Sequence, residues 1–170
     1  IHLAETSGEV EDCVREHGLR PAAYLDTIGL LTPRTVLAHG VHLDDAELAL
    51  VAERGATLVT CPVSNMKLAV GGAFPYPAAR AAGCAIGIGT DGAASNNSLD
   101  LLQDVKVLAL LQKMIKQRQE SVELYKKGNR PELVKQEEEE IAIISSYLPK
   151  QMSDAEMGAA IVAEMEKLAA

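Results

Sequence analysis

Two histidines, a glutamate and an aspartate in the first hundred residues are suited to metal-assisted chemistry. They are His2, Glu5, His39 and Asp91. Histidine offers a neutral nitrogen and aspartate a hard oxygen, a ligand mixture that suits zinc or iron. A bound metal lowers the pKa of a coordinated water, and a nearby carboxylate such as Glu5 moves protons to the substrate. No local ligand motif joins these residues, so the fold must bring them together.

Short apolar runs predict the strands that end at these residues. The opening IHLAE resembles a strand end, and three further runs follow: TVLAH at 35–39, ATLVTC at 56–61 and CAIGIGT at 84–90. Nearly continuous apolar character is typical of strands that are covered on both faces. The polar residues at the four strand ends are, in chain order, His2 and Glu5, His39 and His42, Ser64 and Asn65, and Asp91.

Helical stretches separate the predicted strands. The helix at 44–54 starts with Asp44 as N-cap and Glu47 three residues on, and Gly55 ends it. Further helices are predicted at 9–17, 22–31 and 75–82. Alternating strands and helices predict a parallel sheet, in which the carboxyl ends of the strands build the site.

Other candidate residues have simpler explanations. His42 is as consistent with a turn as with a site, and His17 lies in the last turn of a helix, where a cation is favourable. The stretch GIGTDGAASNNS lacks both the GxGxxG spacing and the P-loop lysine, which argues against a phosphate cradle. Nothing in the sequence around Cys61 indicates an activated nucleophile.

Composition narrows the class of protein. The 170 residues are 48% apolar with no Trp and one Phe, which predicts an aliphatic core. The net charge of −8 argues against a broad nucleic-acid surface. Three widely spaced cysteines are typical of reduced thiols in a cytoplasmic protein, and neither a membrane span nor a signal peptide is predicted. Because the chain opens at Ile1 without a Met, we expect a fragment.

Four motifs in order resemble the amidohydrolase superfamily, in its branch of S-adenosylhomocysteine, methylthioadenosine and chlorotriazine deaminases and hydrolases. They are IHLAETSGEVEDC, VLAHGVHL, CPVSNMKL and GTDGAASNNSLDLLQDVK. The resemblance, over residues 1–112, implies strands five to eight of a metal-dependent (β/α)₈ barrel, with residues 1–106 as the half-barrel domain. It also implies hydrolytic deamination of a small-molecule substrate with a purine- or triazine-type ring.

The same resemblance assigns roles to the candidate residues. His2 matches the metal-ligand histidine of the fifth strand, and Glu5 matches the acid that shuttles protons to the substrate ring. His39 matches the sixth-strand histidine that polarises the attacking water or the substrate. Asp91 matches the eighth-strand aspartate, which binds the metal and acts as general base.

The chain also departs from the family. The family's His-x-His pair of the first barrel strand has no counterpart here, which leaves His2 and Asp91 as metal ligands. Catalytic zinc usually takes three protein ligands and a water. We therefore expect weak or no binding of zinc or iron and no deaminase activity from this chain alone. Four parallel strands would also leave two open edges, which predicts a homo-oligomer paired through them.

The remaining residues predict helices only. A helix spans Leu99 to Lys127, and its apolar residues up to Leu111 spread over several faces, which predicts burial on several sides. Further helices are predicted at 132–148 and, from a capping box of Ser153 with Glu156, up to Leu168.

Residues 107–170 resemble the GatB/YqeY family of helical proteins. The matching features are MIKQR, the turn at 128–133 and SYLPKQMS. The resemblance implies a tRNA-proximal binding role without catalysis. A basic strip is the candidate phosphate contact, although interleaved glutamates favour simple solvation; the strip comprises Lys113, Lys116, Arg118, Lys126, Lys127 and Arg130.

Three hypotheses follow for the whole chain. It derives from a metal-dependent aminohydrolase, or it is a helical binding module with the barrel piece as scaffold, or it is a chimera of two truncated parents. Both resemblances stop within a domain, which favours the chimera as a statement of origin. The helix at 99–127 is then the junction that both parents share.

Overall fold

The computed structural model describes residues 1–148 and contains one four-stranded sheet in that range. The strands are β1 (His2–Leu3), β2 (Val36–His39), β3 (Thr57–Thr60) and β4 (Ala85–Ile88). They pair in sequence order and every pair is parallel. The predicted fold class, a parallel β/α half barrel followed by helices, is confirmed. Each strand lies within a predicted run but is a few residues shorter.

Eight helices connect and follow the strands within residues 1–148. They are α1 (Ser7–His17), α2 (Pro21–Thr27), α3 (Asp45–Arg54), α4 (Pro62–Lys67), α5 (Tyr76–Ala81), α6 (Ala93–Asn96), α7 (Leu101–Lys127) and α8 (Pro131–Ser145). The sequence did not predict α4 or α6, because these short segments show no helical period and lack a glycine stop such as Gly83 after α5.

The cap residues explain why the longer helices begin and end where they do. In α3 the predicted capping box forms, since the side chain of Asp44 accepts the backbone N–H of Glu47 and Glu47 caps Asp44 in return. In α1 the Thr6 side chain accepts the N–H of Glu9. Gly18 and Gly55 end these helices in the left-handed conformation that glycine adopts without strain.

The hydrophobic core lies between one face of the sheet and helices α1 to α3 and α5. Its centre is aliphatic, as the composition predicts, and contains the fully buried Leu37, Leu48, Val51 and Leu58. The opposite face of the sheet is open in the described structure, and Val36 is 52% exposed there. One side of each strand is therefore packed, and the other is free to meet another surface.

The long helix α7 is less buried than the sequence predicts. Leu102 and Leu110 are 67% and 56% exposed, so the expectation of burial on several sides is wrong. The reason is that α7 packs mainly against α8 and meets the half barrel chiefly through α4. Only Asp104 and Val122 are buried in this helix. The third predicted helix, Ser153 to Leu168, lies outside the described residues.

Within residues 1–148, no helix combines the length and apolar character that crossing a membrane requires.

Candidate metal centre

The four candidate residues meet at the carboxyl edge of the sheet. His2 Nε2 lies 3.6 Å from Asp91 Oδ1, and His39 Nε2 lies 3.7 Å from Glu5 Oε2. His39 Nε2 is also 4.0 Å from Asp91 Oδ2, and the rings of His2 and His39 meet edge to face at 4.7 Å. Residues 89 positions apart in the sequence therefore share one site, because parallel strands end at the same edge.

A buried hydrogen bond fixes the orientation of His39. Its side chain is fully buried, and Nδ1 lies 2.8 Å from Oδ1 of Asn65, which is itself 6% exposed. Because an amide oxygen only accepts, Nδ1 donates this hydrogen bond, and Nε2 is the ring nitrogen that faces the site. Nε2 is buried without a hydrogen-bond partner in the described structure. A buried ring nitrogen that faces two carboxylates and has no partner is an incomplete arrangement, which a bound cation would complete.

Two serines hold the carboxylate of Asp91. Ser64 Oγ and Ser95 Oγ donate to Oδ2 at 2.7 and 2.6 Å. Burial alone would raise the pKa of Asp91, but the two serine hydrogen bonds, the Gly92 backbone N–H and the nearby His39 lower that pKa overall. Asp91 is therefore a carboxylate at neutral pH and a suitable ligand for a metal cation.

Three residues at or just after the strand ends of the site have an unusual backbone conformation. Ala4, His39 and Asp91 all have positive φ, at 48°, 73° and 59°. Such values are uncommon for residues other than glycine and cost free energy, and they concentrate at functional sites. Each of the three follows or ends a strand whose carboxyl end carries a candidate residue.

Glu9 supports the turn that carries Glu5. Its two carboxylate oxygens accept the backbone N–H groups of Ala4 and Glu5, both at 2.8 Å. The sequence predicts Glu9 only as the start of a helix. The signal for its second role is its position in the first turn of α1, where a carboxylate reaches back to the preceding N–H groups.

The other histidines lie outside the site. His42 Nε2 contacts the backbone oxygen of Val70 at 2.7 Å, which resolves the open alternative in favour of a turn residue. His17 stacks on Tyr24 at 3.9 Å. Burial raises the pKa of the Cys61 thiol to about 11, so Cys61 is not an activated nucleophile.

The donor groups fit a divalent metal. His2, His39 and Asp91 each offer a ligand atom, and these atoms lie within 4.8 Å of one another. Two imidazole nitrogens and one carboxylate oxygen are ligands that zinc accepts. His39 is thus a third candidate ligand beside His2 and Asp91, the two that the resemblance implies.

Parallel β/α units that carry histidine and acidic side chains at their carboxyl edge are typical of metal-dependent hydrolases built on (β/α)₈ barrels. The sequence model of the amidohydrolase family matches residues 1–127, and the chain belongs to this family. The model of Yqey-like proteins matches residues 90–170, which confirms the second resemblance. The two matches overlap over residues 90–127, a range that contains α7.

Curated relatives are deaminases. A 5'-deoxyadenosine deaminase of Methanoregula boonei is 58% identical over 113 residues, which are 66% of this chain and 26% of the relative. A 5-methylthioadenosine/S-adenosylhomocysteine deaminase of Nitratidesulfovibrio vulgaris is 54% identical over 114 residues, which are 67% of this chain and 26% of the relative. The chain thus spans about a quarter of the length of these relatives.

Solved structures give the same family. An adenosine deaminase from Xanthomonas campestris with bound zinc superimposes with a TM-score of 0.57 at 47% identity, over 61% of this chain and 23% of that one. An atrazine chlorohydrolase from Arthrobacter aurescens complexed with zinc gives a TM-score of 0.56 at 29% identity, over 64% and 24%.

Proposed function

We propose that the chain carries part of the metal site of a hydrolytic deaminase, in which His2 and Asp91 hold a divalent metal. The observation that carries this proposal is the buried, unpartnered Nε2 of His39 beside His2, Glu5 and Asp91. The deaminase relatives and the zinc in two structural neighbours support zinc as the metal and an adenosine-type ring as the substrate of the parent reaction. Iron is the alternative metal, since the same ligands accept it.

A metal at this site would supply Lewis acidity and lower the pKa of a nearby water. The residues of the chain would perform the proton transfers. The two serines hold Asp91 Oδ2, whereas Oδ1 faces His2 at 3.6 Å and is the oxygen that could accept a proton as general base. Glu5 is 20% exposed and its Oε2 lies 3.7 Å from His39, which supports the proposed role of Glu5 in passing a proton to a bound ring. His39, through Nε2, orients the water or the substrate.

We expect weak metal binding and no deamination from this chain alone. The His-x-His pair of the family has no counterpart in the sequence, and two ligands, or three with His39, fall short of the usual complement of catalytic zinc. The residues present would therefore hold the metal but would not complete the coordination on which activity depends.

Zinc titration by calorimetry tests this function. We expect wild type to bind zinc and His2→Ala and Asp91→Ala to lose it, while His17→Ala, which removes a histidine outside the site, binds as wild type does. Equal binding by all variants would contradict the proposal. With added zinc and adenosine, ammonia release should stay at the level of the His2→Ala variant, and any excess would contradict the expected inactivity.

Self-association through the sheet is part of the proposal. Strands β1 and β4 are the two edges of the described sheet, and Ile1 and Val36 are 61% and 52% exposed. Pairing both edges of two copies into a closed, barrel-like sheet would complete the backbone hydrogen bonds and enclose the open face that carries Val36. Light scattering should therefore report a dimer or larger assembly, and a strictly monomeric mass would contradict this part of the proposal.

A second candidate function is a helical binding module that acts near tRNA, and the match to Yqey-like proteins over residues 90–170 favours it. Part of the basic strip is neutralised, because Arg118 pairs with Glu137 and Glu140 on α8, and Lys126 pairs with Glu138. Binding of tRNA that weakens with salt would support this candidate, and its absence would contradict it.

We also retain the proposed division into a half barrel at 1–106 and a helical segment at 107–170. The three cysteines, which form no disulfide, support the proposed cytoplasmic location.

A further inference from the structure

A buried carboxyl group connects α7 to the half barrel. The side chain of Asp104 is completely buried, and both of its hydrogen-bond partners within residues 1–148 are uncharged donors. Oδ1 accepts the backbone N–H of Val63 at 3.3 Å, and Oδ2 accepts Nδ2 of Asn96 at 2.9 Å. These two contacts join one residue of α7 to both α4 and α6.

Each of these contacts leads to Asp91 through one neighbouring residue. Val63 precedes Ser64 in α4, and Ser64 Oγ donates to Asp91 Oδ2 at 2.7 Å. Asn96 follows Ser95 in α6, and Ser95 Oγ donates to the same oxygen at 2.6 Å. The two serines that hold the Asp91 carboxylate therefore stand next to the two residues that Asp104 holds.

The orientation of Asn96 strengthens this connection. Its Nδ2 donates to Asp104 Oδ2 and also to the backbone oxygen of Thr90, at 2.6 Å, directly before Asp91. Rotating the amide by half a turn would place its oxygen against two acceptors, so the network fixes the orientation. The cost is that Oδ1 of Asn96 is buried without a partner in the described structure.

Stability alone does not account for a carboxyl group at this position. Asp104 is three residues after Leu101 and four before Leu108, so it lies on the apolar stripe of α7. Burying a carboxyl group without a cation costs free energy that an apolar side chain on the same stripe would not incur. The hydrogen bonds toward Asp91 give a reason for the residue that burial does not.

We propose that Asp104 is a positioning residue, which fixes α4 and α6 so that their serines hold the Asp91 carboxylate in its metal-binding position. This inference rests on the proposed function of the site. Asp104 touches neither the metal ligands nor the substrate-facing groups directly. Residues of this kind, one contact removed from the ligands, typically change metal affinity by 10-fold or more when they are substituted.

The test compares Asp104→Leu and Asp104→Asn with wild type. Leucine keeps the branched skeleton, with bulkier methyl groups, but accepts no hydrogen bond, and asparagine keeps one of the two acceptor oxygens. Zinc affinity is measured by competition with a chelating dye, and the d–d spectrum of bound cobalt reports the ligand geometry. We expect zinc binding to weaken roughly 10-fold in Asp104→Leu and less in Asp104→Asn, with an altered cobalt spectrum. Because Asp104→Leu leaves the Val63 N–H and one Asn96 N–H without their acceptor, the unfolding midpoint should fall, as it should in the destabilised core variant Val51→Ala.

Hydrogen exchange without metal separates this inference from the proposed function. Backbone amides of residues 90–97 should exchange faster in Asp104→Leu than in wild type, while Val51→Ala, a cavity in the distant core, should leave them unchanged. If wild type binds no zinc, the proposed function is wrong, and exchange alone then tests the positioning role. Unchanged exchange in Asp104→Leu, or wild-type zinc affinity and cobalt spectrum in that variant, would overturn the inference.

Discussion

Replacing Asn65 by leucine tests how the site orients His39. Leucine has the same branched skeleton as asparagine, with bulkier methyl groups, but does not accept the proton on His39 Nδ1, which lies 2.8 Å from Asn65 Oδ1. The backbone bonds of Asn65, from its N–H to Cys61 and from Val70 to its oxygen, do not depend on the side chain. The variant therefore removes one hydrogen bond and little else.

The magnitude follows from burial. The His39 side chain is 0% exposed, so water cannot replace the partner that Nδ1 loses in the variant. Nε2 already has no hydrogen-bond partner in the described structure. Leaving a buried polar group unpaired costs about 1–3 kcal/mol. A loss of about 2 kcal/mol lowers the melting temperature of a chain of this size by roughly 4–8 °C.

The assay combines thermal unfolding with nitrogen-15 NMR of the histidine rings. In wild type, His39 should show a protonated Nδ1 and a bare Nε2, and Asn65→Leu should lose this fixed pattern. Gln119→Leu, which replaces an exposed amide on α7, serves as the matched control and should change stability by less than about 0.5 kcal/mol. A proton on Nε2 in wild type, or unchanged stability in Asn65→Leu, would contradict the role of Asn65 in orienting His39.

Two further predictions concern the half barrel. Glu47 is 3% exposed and accepts hydrogen bonds from the Ala22 N–H at 2.9 Å and from Arg20 Nε at 2.8 Å. Glu47→Leu should therefore lower the free energy of unfolding, measured by urea titration, by about 2 kcal/mol or more. Glu53→Leu, at an exposed position, is the control and should not lower it. Because the pKa of Cys61 is about 11, its thiolate fraction at pH 8 is roughly 200-fold below that of a free cysteine. Alkylation of Cys61 in the native chain should be slower by at least that factor, and it should accelerate as pH rises toward 11. The same raised pKa predicts that stability falls as pH rises from about 8.5 through 11, and rapid alkylation of native Cys61 at pH 8 would contradict both statements.

Sequence alone predicted the elements whose signals are local. The capping box of α3 and the glycines that end α1 and α3 follow from residue type at fixed spacing, and the structure contains all of them. The sequence also predicted which residues lie at the strand ends. Short apolar runs between helices imply a parallel sheet, and polar residues collect at the carboxyl edge of such a sheet.

The supporting residues were not predictable in the same way. Asn65 and Ser64 were placed after a strand, but their contacts with His39 and Asp91 depend on the short helix α4, which has no periodic signal. Ser95 lies in the glycine-rich stretch that was considered only as a phosphate cradle. Its hydrogen bond to Asp91 forms across a turn in which Asp91 has a φ of 59°. The apolar stripe of α7 gave one usable signal, the single acidic residue Asp104 within it, which only the tertiary structure explains.

X-ray absorption of the zinc-loaded chain tests whether His2 and Asp91 hold the metal, since it reports which atoms bind zinc. A site of His2 and Asp91 with His39 beside them predicts nitrogen and oxygen ligands at about 2.0–2.2 Å, with the scattering pattern of imidazole. His2→Ala should reduce the imidazole signal. A sulfur ligand at about 2.3 Å, which would place the metal at a cysteine, or a wild-type spectrum from His2→Ala, would contradict the account.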